Sequence, residues 1–175
     1  MSRYILAIDQ GTSSTKSIVF SLAGHEVASA SAPLHTEYTP DGKAEQNPEA
    51  IYRSVIDSVA ASVRKLETYA LIRRGEITCA GIANQRETFV LWDDNGPLYD
   101  AVVWQCKRSV DICNELKEAG AEPEIRDRSG LILDPYFSGT KLTSLLRNVP
   151  SVRAFSRPTC HWTGRAGRWL LHRLT

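Results

Sequence analysis

The densest chemistry in this chain follows a short apolar run: Asp9-Gln10-Gly11-Thr12-Ser13-Ser14-Thr15-Lys16. A carboxylate at a strand end is placed to hold Mg2+ or its waters, because Mg2+ prefers oxygen ligands and keeps much of its hydration. Gly11 lets the backbone turn sharply and approach an anion, so that successive N–H groups form a concavity for phosphate. Thr12, Ser13 and Ser14 add hydroxyl donors, and Lys16 adds a cation for charge building on phosphoryl oxygens. The same residues also suit an ordinary β-hairpin turn, since short motifs recur by chance. A second phrase, Asn84-Gln85-Arg86-Glu87, sets a donor fork beside a carboxylate acceptor. That pair can read two neighbouring hydroxyls of a polyol, and it is also the composition of a surface ion pair. Trp104 and Tyr136 offer rings for the carbon face of such a molecule, or for a plain core. His25, His35, His161 and His172 stand singly, and no metal role is expected of them.

The elements that must position these residues are readable. Tyr4–Ile8 is nearly all apolar, as for a strand buried on both faces, with the Asp9–Lys16 turn after it. Ser17–Leu22 and Glu26–Ser31 follow as adjacent antiparallel strands joined by Ala23-Gly24-His25. Asn47-Pro48-Glu49 combines a cap, a proline at the first helical position and an acid in the first turn. Ile51, Val55, Val59, Val63 and Leu66 then recur at helical spacing, predicting an amphipathic helix to about Tyr69. Ile77–Ala83 reads as a buried strand, and Thr88–Trp92 and Ala101–Trp104 as further strands. Lys107–Ala119 and Glu122–Ser129 read as helices. Ser138 reads as the cap of a helix over 139–148 that ends at Pro150. Strands followed by alternating helices and strands indicate an α/β domain with a mixed sheet.

With 42% hydrophobic and 23% charged residues, the 175-residue chain has the composition of a soluble globular domain rather than a disordered one. Met1-Ser2-Arg3-Tyr4 enters strand-like sequence with no basic leader or cleavage site, so no signal peptide, no membrane span and a cytoplasmic setting are expected. Cys79, Cys106, Cys113 and Cys160 lack metal-ligand spacing and are expected to be reduced, buried thiols. The net charge of +1 is unevenly spread. No acid follows Asp134, while Lys141, Arg147, Arg153, Arg157, Arg165, Arg168 and Arg173 do; residues 1–134 carry a formal charge of −6. Without aromatic interleaving or a nucleic-acid-binding pattern, this basic stretch is not read as a nucleic-acid surface.

The chain resembles the N-terminal part of the FGGY family of carbohydrate kinases. The resemblance rests on Asp9–Ser14, Gly81-Ile82-Ala83-Asn84-Gln85-Arg86-Glu87-Thr88, Val103-Trp104-Gln105-Cys106 and Asp134-Pro135-Tyr136-Phe137-Ser138-Gly139-Thr140-Lys141. Ala44-Glu45-Gln46-Asn47-Pro48 also fits the family's entry into its first long helix. These motifs run in order from residue 3 to about 148, and the similarity is greatest to the glycerol-phosphorylating members. The resemblance implies an α/β, ribonuclease-H-like domain of the actin, hexokinase and sugar-kinase superfamily, the N-terminal half of a two-domain kinase. It implies that Arg86, Glu87, Trp104 and Tyr136 bind glycerol. Asp9 would face Mg2+, and Gly11, Thr12, Ser13, Ser14 and Lys16 the phosphates of ATP. Erythritol or xylulose as acceptor, or a non-catalytic module that binds polyol or protein, are the alternatives. Homo-oligomers are expected of full-length members.

Three departures qualify that expectation. Lys16 stands where the glycerol-phosphorylating members usually carry Arg, which keeps the charge but loses the planar fork. The proton-accepting Asp and the adenosine-binding C-terminal domain fall outside this sequence, so the chain alone is expected to be inactive. Residues 1–150 read as the family's N-terminal domain and 151–175 as a divergent basic tail. Within that tail, residues 151–168 are expected to be a frameshifted or misread stretch of preserved length, with Gly167 at the family's Asp position, and a family-like helix resumes at Trp169.

Overall fold

Hairpin chemistry and one long helix build the first part of the molecule. In the computed structural model, which describes residues 3–155 and 162–175, β1 (Tyr4–Gln10), β2 (Ser14–Ser21) and β3 (Glu26–Pro33) run antiparallel to their neighbours, and β6 (Ile77–Asn84) lies parallel to β1. The sheet order β3-β2-β1-β6 is the mixed sheet expected from the sequence. The helix α1 (Pro48–Tyr69) begins as its cap chemistry requires: Ala50 N–H donates to the Asn47 side chain at 3.0 Å, with Pro48 in the first turn.

The face that α1 presents to β2 and β3 differs from the apolar stripe read in the sequence. Ile51, Val55 and Leu66 are buried as expected, but Val59 and Val63 are only half-buried, and Ser54, Ser58 and Ser62 take the interface. Their hydroxyls are all satisfied. Ser54 Oγ meets Thr15 Oγ1 at 2.7 Å, and Ser17 Oγ lies 2.6 Å from Ser58 O and 2.9 Å from Ser62 Oγ. Small hydroxyl residues let helix and strand approach closely while leaving no polar group orphaned.

β1 is buried on one face only, which corrects the two-faced reading. Leu6, Ile8 and Gln10 point into the core, while Ile5, Ala7 and Asp9 join Lys16, Ile18, Gly81, Ile82 and Ala83 along an open groove of about 390 Å3. β6 is likewise apolar without being buried: Thr78, Cys79, Ala80, Gly81 and Ala83 are exposed. It is the last strand of its sheet, so one edge has no strand partner among the described residues. Cys79 is therefore an exposed thiol, whereas Cys106 and Cys113 are buried; Cys160, Arg157 and His161 lie outside the described residues.

A second compact unit comprises residues 37–46 and 86–166, against 1–36, 47–85 and 167–175 in the first. It holds a second sheet built from β4 (Glu37–Tyr38), β5 (Ala44–Gln46), β7 (Phe89–Asp93), β8 (Gly96–Pro97), β9 (Ala101–Val102) and β10 (Trp162–Arg165). Its order is β10-β7-β9-β5-β4, with β8 on β7. The helices α2 (Val110–Glu118), α3 (Glu122–Ser129), α4 (Ser138–Asn148) and α5 (Pro150–Phe155) complete the unit. Its core gathers Ala44, Phe89, Val102, Val103, Cys106, Leu145 and Val152. α4 ends at Asn148 as expected, and Pro150 opens a separate helix, α5, where its missing N–H costs nothing. Finally α6 (Ala166–Leu174) contributes Trp169 and Leu170 to the buried set. No helix among the described residues is long and apolar enough to cross a membrane.

Candidate functional site

In the first unit the Asp9–Lys16 phrase is split across a hairpin. β1 ends at Gln10 and β2 starts at Ser14, so the turn proper is Gly11–Ser13, and Ser14 and Lys16 lie on a strand rather than in a turn. Gly11 N–H donates to Ser14 O at 2.9 Å, and a Cβ at Gly11 would stand 3.0 Å from that same oxygen. Glycine is needed for this close approach. Asp9 and Lys16 are direct cross-strand partners, both exposed, so a carboxylate and an ammonium flank the turn on the open face.

Two glutamines that carry no role in the sequence reading hold the turn. Gln85 N–H donates to Gln10 O at 3.0 Å, Gln85 Nε2 to Gln10 Oε1 at 3.4 Å, and Thr12 Oγ1 to Gln85 Oε1 at 3.4 Å. Gln10 also donates through Nε2 to Gly11 O at 2.6 Å, and Leu34 N–H donates to Ser13 O at 2.9 Å. Both glutamine side chains are buried. The sequence signal was a long amide at the end of each of two strands, where buried polar groups must find partners. Asp9 is a single carboxylate, and no group of three or more metal-ligating side chains stands together among the described residues. One carboxylate suits a Mg2+ held mainly by waters and phosphate oxygens.

Asn84, at the end of β6, explains a feature of α6. A Cβ at Gly167 would stand 2.5 Å from Asn84 Oδ1, while Asn84 Nδ2 donates to Gln85 O at 2.8 Å. The amide thus occupies the space that a side chain at position 167 would take. Gly167→Ala is expected to destabilise the chain by about 1 kcal/mol, with Asn84→Ala in the same chain recovering most of the loss. Additive urea midpoints in the double variant would show that the two positions do not compete.

In the second unit, Glu87 is largely buried and faces Arg165 at 3.8 Å, while Arg86 is exposed. Ser138 does not cap α4. Phe137 holds the cap position, and Ser138 Oγ instead donates to Glu87 O at 3.1 Å, tying the start of α4 to the Arg86-Glu87 segment. The Asp134–Phe137 turn is closed by Tyr136 N–H donating to Asp134 Oδ1 at 2.7 Å and Phe137 N–H to Asp134 O at 3.2 Å. It brings Tyr136 edge-to-face with Trp104, with ring centroids 5.8 Å apart, and the Phe137 ring meets Tyr136 edge-on at 5.1 Å. The two rings proposed as a wall are therefore neighbours. The side chain that joins them was missed: Lys141, fully buried, donates through Nζ to Val103 O, Trp104 O and Tyr136 O at 3.1, 2.9 and 3.0 Å. Its signal was a lysine on the buried stripe of α4 with Ser144 and Leu145.

A family profile described as the N-terminal domain of the FGGY family of carbohydrate kinases matches residues 4–175. The chain belongs to this family. It is 40% identical over 175 residues to a glycerol kinase of Halothermothrix orenii, covering 99% of this chain and 34% of that protein. To a glycerol kinase of Paracidovorax citrulli it is 44% identical over 174 residues, covering 98% and 34%. The chain thus spans about a third of the length of these curated relatives. Among solved structures, Plasmodium falciparum glycerol kinase with ADP superposes with a TM-score of 0.89 at 27% identity, over 99% of this chain and 34% of that one. A gluconate kinase from Lactobacillus acidophilus shares the fold, with a TM-score of 0.84 at 22% identity, over 99% and 33%. The FGGY fold is the sugar-kinase fold of the actin and hexokinase type, as the motifs imply.

Proposed function

We propose that this chain supplies the acceptor-binding and phosphate-facing part of an ATP-dependent polyol kinase, with glycerol as the acceptor. The observation that carries this reading is the second-unit cluster: a largely buried Glu87 beside Arg86, with Trp104 and Tyr136 packed edge-to-face in the same unit. The identity of about 40% to glycerol kinases supports glycerol over other polyols. Glu87 accepts from a hydroxyl, Arg86 donates to its neighbour, and the two rings cover the carbon backbone. In the first unit the Gly11–Ser13 turn offers N–H and hydroxyl donors to phosphate oxygens, Lys16 neutralises charge, and Asp9 is the residue that would hold Mg2+. Bound there, Mg2+ would offset the negative charge of the phosphates.

In the reaction, the terminal hydroxyl oxygen of the polyol bonds to the γ-phosphorus as the bond to the bridging β–γ oxygen breaks. ADP leaves, and the hydroxyl proton passes to a base that we do not assign to any residue of this chain. These residues alone therefore bind polyol without consuming ATP. Titration of glycerol into the chain, followed by tryptophan fluorescence, tests the reading. Glu87→Gln and Arg86→Ala are each expected to weaken binding about tenfold or more, the loss of one charge-assisted hydrogen bond. Equal affinities in wild type and both variants would remove these residues from the acceptor site. Steady ADP release from the chain alone would overturn the division of labour.

A further inference from the structure

Lys141 is buried without a carboxylate. Its ammonium meets only the three backbone carbonyls of Val103, Trp104 and Tyr136, and no acid stands within ion-pair distance of it among the described residues. Taking an ammonium out of water is costly unless every proton finds an acceptor. Here each does, with three protons on three oxygens. The acceptors are not scattered. Two belong to the segment that leaves β9 and carries the Trp104 ring, and the third belongs to the Asp134–Phe137 turn that carries the Tyr136 ring. A single side chain on α4 therefore pins both halves of the aromatic pair by their main chains.

We propose that Lys141 is the positioning residue of the Trp104–Tyr136 wall, and that the wall is held by its protonated form. Its importance for the acceptor rests on the functional reading above, but the staple itself does not. Neutral lysine keeps only two N–H donors, so one carbonyl of the three loses its partner when the proton leaves. Burial drives that loss toward neutrality, holding the group at about 8 against an ordinary value of 10.5, with Cys106, Glu87 and Asp134 favouring the charged form and Arg108 opposing it. Among charged and titratable groups, these four act on the ammonium most strongly. The wall then passes from three contacts to two as pH rises through about 8. Because the folded value lies below the unfolded one, the unfolded chain binds the extra proton between these limits, and the folded state gains stability as pH rises across that window. Loosening of the wall and stabilisation of the fold thus run together as pH rises.

The experiment uses the whole chain grown with 5-fluorotryptophan, with the Trp104 fluorine resonance assigned by its absence in Trp104→Phe. In the wild type this resonance is expected to shift with a midpoint near 8. Lys141→Arg, charged throughout, is expected to hold the low-pH position at every pH. Lys141→Met is expected to stay at a displaced position with no titration. A flat wild-type resonance overturns the proposal. A titration that persists in Lys141→Arg also overturns it, because the proton would then belong to another group. Should Lys141→Met fail to fold, the wild type and Lys141→Arg decide the matter alone. Glycerol added to the same samples reads the acceptor assignment separately: a Trp104 resonance that titrates but ignores glycerol sinks the polyol reading and leaves the staple standing.

Discussion

Trp169→Ala is expected to destabilise the chain by about 3–5 kcal/mol, the range for truncating a fully buried aromatic side chain. Trp169 is 1% exposed, and its Nε1 donates to Pro48 O at 3.0 Å, at the first turn of α1. The Arg173 guanidinium lies over both the Trp169 ring, at 5.2 Å, and the Tyr52 ring, at 4.4 Å, while pairing with Glu49. One indole thus fastens α6 to the start of α1, and the cation seals the contact with a further contribution of about 0.5–1 kcal/mol. Removing the indole leaves a cavity, drops a hydrogen bond and strips Arg173 of one of its two rings. Trp169→Phe retains most of the apolar contact and is expected to cost about 1–2 kcal/mol, so the pair separates packing from the Nε1 bond. Urea unfolding followed by circular dichroism reads both. A cost for Trp169→Ala below about 1 kcal/mol would mean that α6 is not docked on α1.

That docking bears on the sequence reading of the basic stretch. Seven cations and no acid follow Asp134, and several of those cations meet specific partners, among them Arg147, which pairs with Glu115 at 2.7 Å, and Arg165, which faces Glu87. Arg173 sits between Glu49, Tyr52 and Trp169, and Lys141 between three carbonyls. Net charge along a segment describes solvated groups well. It says nothing of cations whose partners lie far off in sequence.

The same distinction separates what was legible from what was not. The start of α1 was readable because cap chemistry is local: Asn47, Pro48 and Glu49 act within one turn. The hairpins of the first sheet were readable because turns and period-two patterns are local too. By contrast, the serines that α1 turns to β2 pair with residues 39 to 45 positions away, and hydrophobic periodicity gave their place to Val59 and Val63. β6 was read as buried from its composition alone, but burial needs a neighbour, and its outer edge has none among the described residues. β4 and β5 are two and three residues long, too short for any alternation to register. For the candidate site, residue types were visible at Asp9, Gly11, Arg86, Glu87, Trp104 and Tyr136. The groups that fix them act across the sequence: Gln85 reaches the Gln10 side chain 75 positions away, and Lys141 reaches carbonyls 37 and 38 positions away, acceptors that carry no residue-type signature.

Arg108→Ala tests the interior of the second unit and is expected to cost about 3–5 kcal/mol, because it strands a partly buried carboxylate. The Arg108 side chain is 4% exposed and Glu45, its partner through Nη2, is 17% exposed. Nε donates to Cys106 Sγ at 3.0 Å, and the guanidinium lies 5.7 Å from the Tyr99 ring centroid. The pair joins β5 to the residues before α2, beside the Val103 N–H to Ala44 O hydrogen bond at 3.0 Å and the pairing of β5 with β9. The size of the loss measures an uncompensated charge and not the net worth of the pair, since both ions paid desolvation on folding. The double variant Arg108→Met with Glu45→Leu is therefore expected to recover most of the stability lost by Arg108→Ala, with a coupling energy of roughly 1–3 kcal/mol between the sites. Glu45→Gln alone leaves the guanidinium its other partners and is expected to cost less than Arg108→Ala. If Arg108→Ala and the double variant unfold at the same urea concentration, the cost lies in lost packing around the arginine stem, and the ion pair has no role in holding β5 in place.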